Sequence, residues 1–501
     1  MQKLFISILL SLCFFTSGFS QYAQKYNWKG VNTGGTGFVP GFCLSKTEQN
    51  VIYARTDVGG AYRWVESTQS WTRISDWVTE AEWTLEGIQA ICTDPKKPGR
   101  VYMMGGLYIN PPSCIMRSDD YGKTFKRFVT PFQISGVASP SGERLCIDPN
   151  NTAVLYCGTY KNGLWKSADN GETWTEMTAF RTAVTVTTGE VLRVSFVVVD
   201  PSTGTNGTTS PRIIAGLTRL GNNNLYISND AGATWQPITG LPTTSAPQRG
   251  ELSPNGYLYS TFSNVESPQG GTLGGFFKIN LSTKAAVDIT PQALRTNGYC
   301  GIAIDQGNPN HMLITNTNGV LWKPTGMYGE RIWRTKDGGV SWVDLASSSQ
   351  VVMDYQGYAY AAGVNPHWVT NIGLDPFNSN RFYFNSGNGV YRCDNLSDYD
   401  SGKTITFKFS VNGLNESVVF DMVAPKSGAQ LIHSIGDYSG FRHTNVDLPG
   451  SRFSPAGGAN NYSLDAAELN PNIVVRTTSN PANGAMYSAC NRWNYDGWSC
   501  S

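Results

Sequence analysis

Ser118-Asp119-Asp120-Tyr121-Gly122-Lys123-Thr124-Phe125 is one of four matching stretches that decide the fold. A hydroxyl residue is followed at fixed offsets by Asp, Gly, a second hydroxyl residue and an aromatic ring. The pattern recurs as Ser167, Asp169, Gly171, Thr173, Trp174 and as Ser228, Asp230, Gly232, Thr234, Trp235. A fourth copy is Thr335, Asp337, Gly339, Ser341, Trp342. This is the chemistry of a hairpin clasp, in which Asp and hydroxyl side chains bond turn amides and Gly takes a positive φ. The aromatic residue anchors the turn between sheets. The role is architectural, so Asp120, Asp169, Asp230 and Asp337 are not candidate acids.

A second repeat accompanies the first. Asp94-Pro95, Asp148-Pro149, Asp200-Pro201 and Asp375-Pro376 each follow a short apolar run, and the first two gaps are 54 and 52 residues. That period is a little longer than one four-stranded propeller blade. The clasps resemble the Asp boxes (BNR-like repeats) of such blades, and residues 25 to 420 accommodate about seven units of this period. The expected fold class is therefore all-β: a seven-bladed β-propeller over residues 21–420, followed by an incomplete part of a second propeller over 421–476. Residues 477–501 form an atypical Cys- and Trp-rich tail. An irregular β-sandwich is the competing architecture, but it does not require four faithful copies of one clasp.

The N-terminus and composition bound the function. Lys3, the apolar run from Leu4 to Phe15 and the small residues Gly18 and Ser20 read as a signal peptide over residues 1–20, too short to span a bilayer. A secreted, extracellular protein is expected. The 38 basic and 37 acidic residues nearly balance, which gives no field for capturing nucleic acid or a membrane. Aromatic residues make up 12% and charged residues only 15%, a profile suited to neutral ligands such as sugars. Nine cysteines follow the signal segment, with no zinc-ligand spacing and an odd count that leaves at least one unpaired. Cys146 and Cys157 read equally as buried thiols or as a bridge. Six sequons (Asn150, Asn206, Asn280, Asn395, Asn415, Asn461) are compatible with a glycoprotein.

Several longer motifs resemble those of glycoside hydrolase family 74. They include Tyr26-Asn27-Trp28-Lys29, Gly34-Gly35-Thr36-Gly37-Phe38-Val39-Pro40-Gly41 and the run Tyr53 to Trp64, which contains Thr56-Asp57-Val58-Gly59-Gly60. Gly142-Glu143-Arg144-Leu145, Asp375-Pro376-Phe377-Asn378-Ser379 and Gly436-Asp437-Tyr438-Ser439-Gly440-Phe441-Arg442-His443 also match, as do Ser463-Leu464-Asp465 and Leu469-Asn470-Pro471-Asn472. The resemblance spans residues 26 to 476. It implies an endo-β-1,4-glucanase that acts on xyloglucan with inversion, on two seven-bladed propellers clasping an open cleft. It also implies Asp57 as general base and Asp437 as general acid.

The residues support that pairing independently. Asp57 and Asp437 sit in related glycine-containing turns, and equivalent turns on two similar domains would face each other across a gap. Inversion needs a gap of roughly 6.5–9.5 Å so that water fits between base and anomeric carbon. The remaining candidates are substrate-binding. His367 and Trp368 precede the Asp375 strand, where they either line the cleft or pack between blades. Tyr62 and Trp64 follow Asp57 by strand alternation and read as wall more than ligand. His443 either tunes Asp437 or caps its turn, while Trp77 and Trp83 read as core before sugar platforms. No cofactor or metal is expected, because two carboxylates and water suffice. The expected partner is a polysaccharide, with no nucleic acid, no membrane and a monomeric state.

Only about 80 residues follow Phe420, where a second propeller needs seven units of roughly 50. A truncated chain is the expectation, with Asp437 on isolated blades and the first propeller short of a closing strand. The alternative function is a non-catalytic glycan-binding propeller. A sialidase is disfavoured by the absence of an early Phe-Arg-Ile-Pro stretch, and a sorting receptor by the absence of an anchor.

Overall fold

The computed structural model describes residues 29–107, 113–134, 142–186, 191–266, 268, 270–291, 297–317, 330–364, 366–453, 460–479, 486–487, 491–494 and 497–500. The signal-peptide expectation falls outside them. The apolar runs bounded by turn residues form short antiparallel strands, as β-branched and aromatic side chains favour. Consecutive strands pair with their sequence neighbours, giving sheets over residues 41–73, 88–129, 145–176, 194–237, 246–288, 298–344 and 351–409. The last of these carries a fifth strand, Val351–Asp354, parallel to Ile405–Phe409.

These sheets close into a propeller-like ring. The innermost strands Gly41–Leu44, Ile88–Thr93, Leu145–Ile147, Val194–Asp200, Ala246–Leu252, Gly298–Ile304 and Ile372–Asp375 each contact the next, and the last contacts the first. Every sheet of the ring has its four antiparallel strands, all supplied by residues 41–409. The expectation of a missing closing strand is thus overturned. Closure is a packing event: Phe42, Ile52, Trp64 and Trp71 of the first sheet share a buried cluster with Tyr383 and Val390 of the last.

The two repeats take distinct places. In the first clasp Ser118 Oγ donates to Asp120 Oδ1 at 2.7 Å and accepts from Gly122 N at 2.8 Å, while Thr124 N donates to the same carboxylate at 2.9 Å. The stretches at 167, 228 and 335 repeat these contacts. The Asp-Pro residues cap the turn after an inner strand: Asp94 accepts from Lys96 N, Asp148 from Asn150 N, Asp200 from Ser202 N and Asp375 from Phe377 N.

Inside the ring, polar side chains tie sheets that are not neighbours. The buried Arg55 guanidinium reaches Glu143 Oε1 at 3.1 Å and Ile88 O at 3.3 Å. From across the channel Arg249 reaches the same oxygen at 3.4 Å, Thr370 O at 2.9 Å and Pro40 O at 3.3 Å. Cys43, Cys92, Cys114, Cys146, Cys157, Cys300 and Cys393 are free thiols, which resolves the Cys146 and Cys157 alternatives in favour of thiols.

A further four-stranded sheet, residues 419–452, docks on the seventh sheet of the ring. Tyr438 packs at 5.5 Å and Phe441 at 5.2 Å against Tyr360, within a cluster that includes Phe409 and Ile435. Asn32 N donates to Val446 O at 2.9 Å. Its first strand, Val419–Val423, remains open to solvent, with Val419, Phe420 and Met422 exposed by 43%, 40% and 60%. Strands Ser463–Ala466, Val474–Ser479 and Met486–Tyr487 form a further sheet packed on this one: Leu464 N donates to Asp421 Oδ2 at 3.0 Å, and Leu464 and Val474 share a buried cluster with Ile432 and Phe453.

Candidate active site

The turn between strands Ile52–Arg55 and Ala61–Val65 presents Asp57. Thr56 clasps it: Thr56 Oγ1 donates to Gly60 O at 2.9 Å and accepts from Gly59 N at 2.8 Å. Gly60 takes φ +84°, and a Cβ there would lie 1.9 Å from Ser75 Oγ, so only glycine fits. Asp57 N donates to Phe38 O at 3.4 Å, which leaves the half-buried carboxyl at the apex of the turn.

A second carboxyl, not anticipated from sequence, lies directly against it. Glu416 is 4% exposed and its side chain hydrogen-bonds to that of Asp57. The segment that carries it runs beside the glycine-rich stretch 34–37. Gly35 and Asn415 form a parallel bridge, Glu416 N donates to Gly35 O at 2.9 Å, and Gly34 N donates to Asn415 Oδ1 at 2.8 Å. Tyr62, expected as a wall residue, donates its hydroxyl to Asn415 O at 2.5 Å. Burial raises the Glu416 carboxyl well above the ordinary range, and the charge of Asp57 adds to the shift. Burial also raises Asp57, against the hydrogen bond from Glu416 and those from the Asp57 and Val58 amides, while the charge of Asp437 pushes it further up.

Asp437 sits at the tip between strands Leu431–Ile435 and Ser439–His443. Its backbone is left-handed at φ +63°, a conformation that Asp tolerates better than most residues. Asn460 Oδ1 accepts from its amide at 2.9 Å, and Gly436 N donates to Val418 O at 3.0 Å. The next residue, Tyr438, is buried and anchors the turn, so the Asp437 side chain is exposed. The charge of Asp437 is felt at both Asp57 and Glu416, as the smallest of the causes named for each.

The other sequence candidates divide. Trp368, half-buried at φ +56°, packs edge-on at 5.4 Å against Phe38, whose carbonyl holds Asp57. His367 lies beside it at 5.5 Å. Their turn is held by Glu330, another residue the sequence did not single out. Val369 N donates to its Oε2 at 2.7 Å, and burial pushes its carboxyl up to about 8. Trp64 is 5% exposed and packs edge-on against Trp71 at 5.2 Å inside the ring wall, so it offers no face to a ligand. His443 is 1% exposed at the far end of the Ser439–His443 strand. That strand separates it from the Asp437 turn by ~13 Å of extended chain, which rules out the expected direct tuning. It instead faces His433 at 3.4 Å. Trp77 is core as expected, packed on Phe125 at 5.7 Å, whereas Trp83 is 48% exposed and corrects the core reading.

The ring also encloses a cavity of about 640 Å³ at the opposite mouth of its channel, lined by the Asp-Pro turns at Pro95, Pro149, Pro201 and Pro376. Neither Asp57 nor Asp437 borders it. Among the described residues, no cluster of His, Cys, Asp and Glu is arranged to hold a metal.

No family model matches the chain. The fold has counterparts among solved structures. The GH74 xyloglucanase from Xanthomonas campestris superposes with a TM-score of 0.86 at 30% identity, over 95% of this chain and 69% of that one. The Niastella koreensis GH74 enzyme gives 0.82 at 32% identity, over 94% and 69%. The chain belongs to glycoside hydrolase family 74. Family 74 likeness extends to curated relatives. A Paenibacillus xyloglucanase is 34% identical over 91% of this chain and 47% of its own length. The xyloglucanase Xgh74A of Acetivibrio thermocellus is also 34% identical, over 90% and 57%. The chain spans about half the length of these curated relatives.

Proposed function

We propose that this family 74 chain is a secreted, monomeric glycoside hydrolase that cleaves the β-1,4-glucan backbone of xyloglucan with inversion. In this reading residues 21–420 are a seven-bladed propeller whose clasps are Asp boxes, and residues 421–476 are an incomplete part of a second propeller. The observation that carries the proposal is a half-buried carboxyl, Asp57, on a turn of the ring and an exposed one, Asp437, at the tip of the docked sheet, in a chain similar to enzymes named xyloglucanases.

The chemistry follows from that pairing. Water lies between Asp57 and the anomeric carbon. Its oxygen attacks that carbon while one of its protons passes to the Asp57 carboxylate. The glycosidic C–O bond breaks, and Asp437 gives its proton to the departing oxygen. Attack opposite the leaving group inverts the anomeric centre. Solvent then removes the proton from Asp57 and returns one to Asp437. Trp368 and the exposed Trp83 offer aromatic faces on which glucosyl rings stack, with His367 beside the first.

Xyloglucan hydrolysis by the purified chain, followed by NMR of the newly formed anomer, tests this reading. An α-anomer as first product supports inversion, and a β-anomer overturns it. A specific observation favours a second reading, a glycan-binding propeller without turnover. Asp437 stands on a sheet whose first strand is largely exposed. Tight xyloglucan binding with no released sugar would select that alternative.

A further inference from the structure

We infer that Glu416 is the positioning partner of Asp57: a buried carboxylic acid that keeps one proton between the two groups and donates it to Asp57. The inference rests on the reading of Asp57 as general base.

Geometry carries it. The Glu416 carboxyl occupies space that two glycines leave free. A Cβ on Gly37 would fall 1.3 Å from Oε2, and one on Gly59 would fall 2.8 Å from Cγ. Both glycines belong to the stretches that resemble family 74, so part of their purpose is to admit this side chain. Glu416 Oε1 is buried with no hydrogen-bond partner among the described residues. Two ionised carboxylates cannot share such a site, so the contact between Glu416 and Asp57 requires a proton. Glu416 is the more deeply buried and holds it. Asp57 then accepts from Glu416 and from backbone amides, stays ionised, and keeps its remaining lone pairs for water.

The surrounding charges are few. Asp437 faces the pair from the docked sheet, and the Tyr62 hydroxyl lies behind Glu416. Behind Tyr62 stands the Arg73–Glu86 ion pair at 2.7 Å. None of these supplies a cation directly to Glu416, which leaves the proton as its only compensation.

The test pairs Glu416→Gln with Glu416→Ala in the full chain. Gln keeps a donor and the shape, so kcat on xyloglucan stays within about threefold of the parent, and any alkaline limb from Glu416 ionisation disappears. Ala removes the donor. The expected result is a kcat lower by about tenfold to a hundredfold, a KM within about threefold, and an acid limb moved to higher pH. Equal impairment of both variants, or an Ala variant with the parental pH profile, overturns the inference. Carbon-13 NMR titration of side-chain carboxyls reads the proton without substrate. One glutamic acid resonance that stays protonated through neutrality and vanishes in Glu416→Gln supports the pair. Its absence from the folded parent overturns it. A parent without turnover but with this resonance would sink the hydrolase reading and leave the pair standing.

Discussion

The two acid-bearing turns are alike in sequence and unlike in surroundings. Asp57 is built into a closed ring, with Thr56 clasping its turn, Phe38 holding its amide and Glu416 against its carboxyl. Asp437 projects from a strained tip, its amide bonded to Asn460 and its neighbour Tyr438 sunk into the ring. Left-handed backbone at a non-glycine residue is tolerated where surrounding structure enforces it. The ring therefore supplies both the environment of Asp57 and, through Tyr360, the anchor for the Asp437 tip. Residues 419–452 contribute the tip alone, and their outer strand is exposed.

The largest expected effect tests whether the turns act together. Asp57→Asn and Asp437→Asn should each lower kcat on xyloglucan by about 10²–10⁴-fold with little change in melting temperature. Asn also tolerates left-handed backbone, so the Asp437 tip survives the change. Loss in only one variant would break the pairing. Next, Tyr438→Ala removes a buried ring that fastens the tip, which should loosen residues 419–452 by about 3 kcal/mol. Hydrogen exchange should show faster exchange there while the ring is unchanged.

Acid should separate the two regions more gently. Burial lowers His433 to about 3, with His443 adding to the shift. A folded pKa below the unfolded value means stability is complete above about pH 6.5 and falls as pH drops toward 3. At pH 5 the docked sheet should have lost about 2 kcal/mol. Limited proteolysis across this range checks it, and His433→Phe should flatten the response. The smallest effect belongs to the ring's clasps. Asp120 and Asp337 are held at about 2, Asp120 chiefly by Thr124 and Asp337 chiefly by Ser341. Their contribution is present above about pH 4 and fades toward pH 2. Calorimetry of Asp337→Asn should show a slightly lower melting temperature at neutral pH, and convergence with the parent near pH 2.

Much of this was legible in the sequence because it repeats. A clasp that needs Asp, Gly and two hydroxyls at fixed offsets announces itself wherever it occurs, and the Asp-Pro caps mark the inner strands. That Asp57 and Asp437 stand on turns was legible because glycines follow both, whereas their roles come only from the resemblance. Glu416 was not, because its partners Gly37 and Gly59 are hundreds of residues away and nothing local pairs them. Its one signal is a lone acid in the run Leu414 to Phe420. Tyr62 and Trp64 were ambiguous because strand alternation gives a face without saying whether another sheet covers it. Trp83 was misread because burial depends on a neighbour the sequence does not name. His443 was misread because closeness along the chain becomes distance along an extended strand.

The Arg55–Glu143–Arg249 tie has a consequence for how the ring comes apart. Open repeat arrays unravel from their ends, since each unit touches only its neighbours. Here one carboxylate binds two cations from the first and fifth sheets, and those cations also grip carbonyls of the second and seventh. None of these tied sheets can peel away without breaking a bond made by another. The ring is in this sense spoked, and its unfolding is collective where a solenoid's would be sequential.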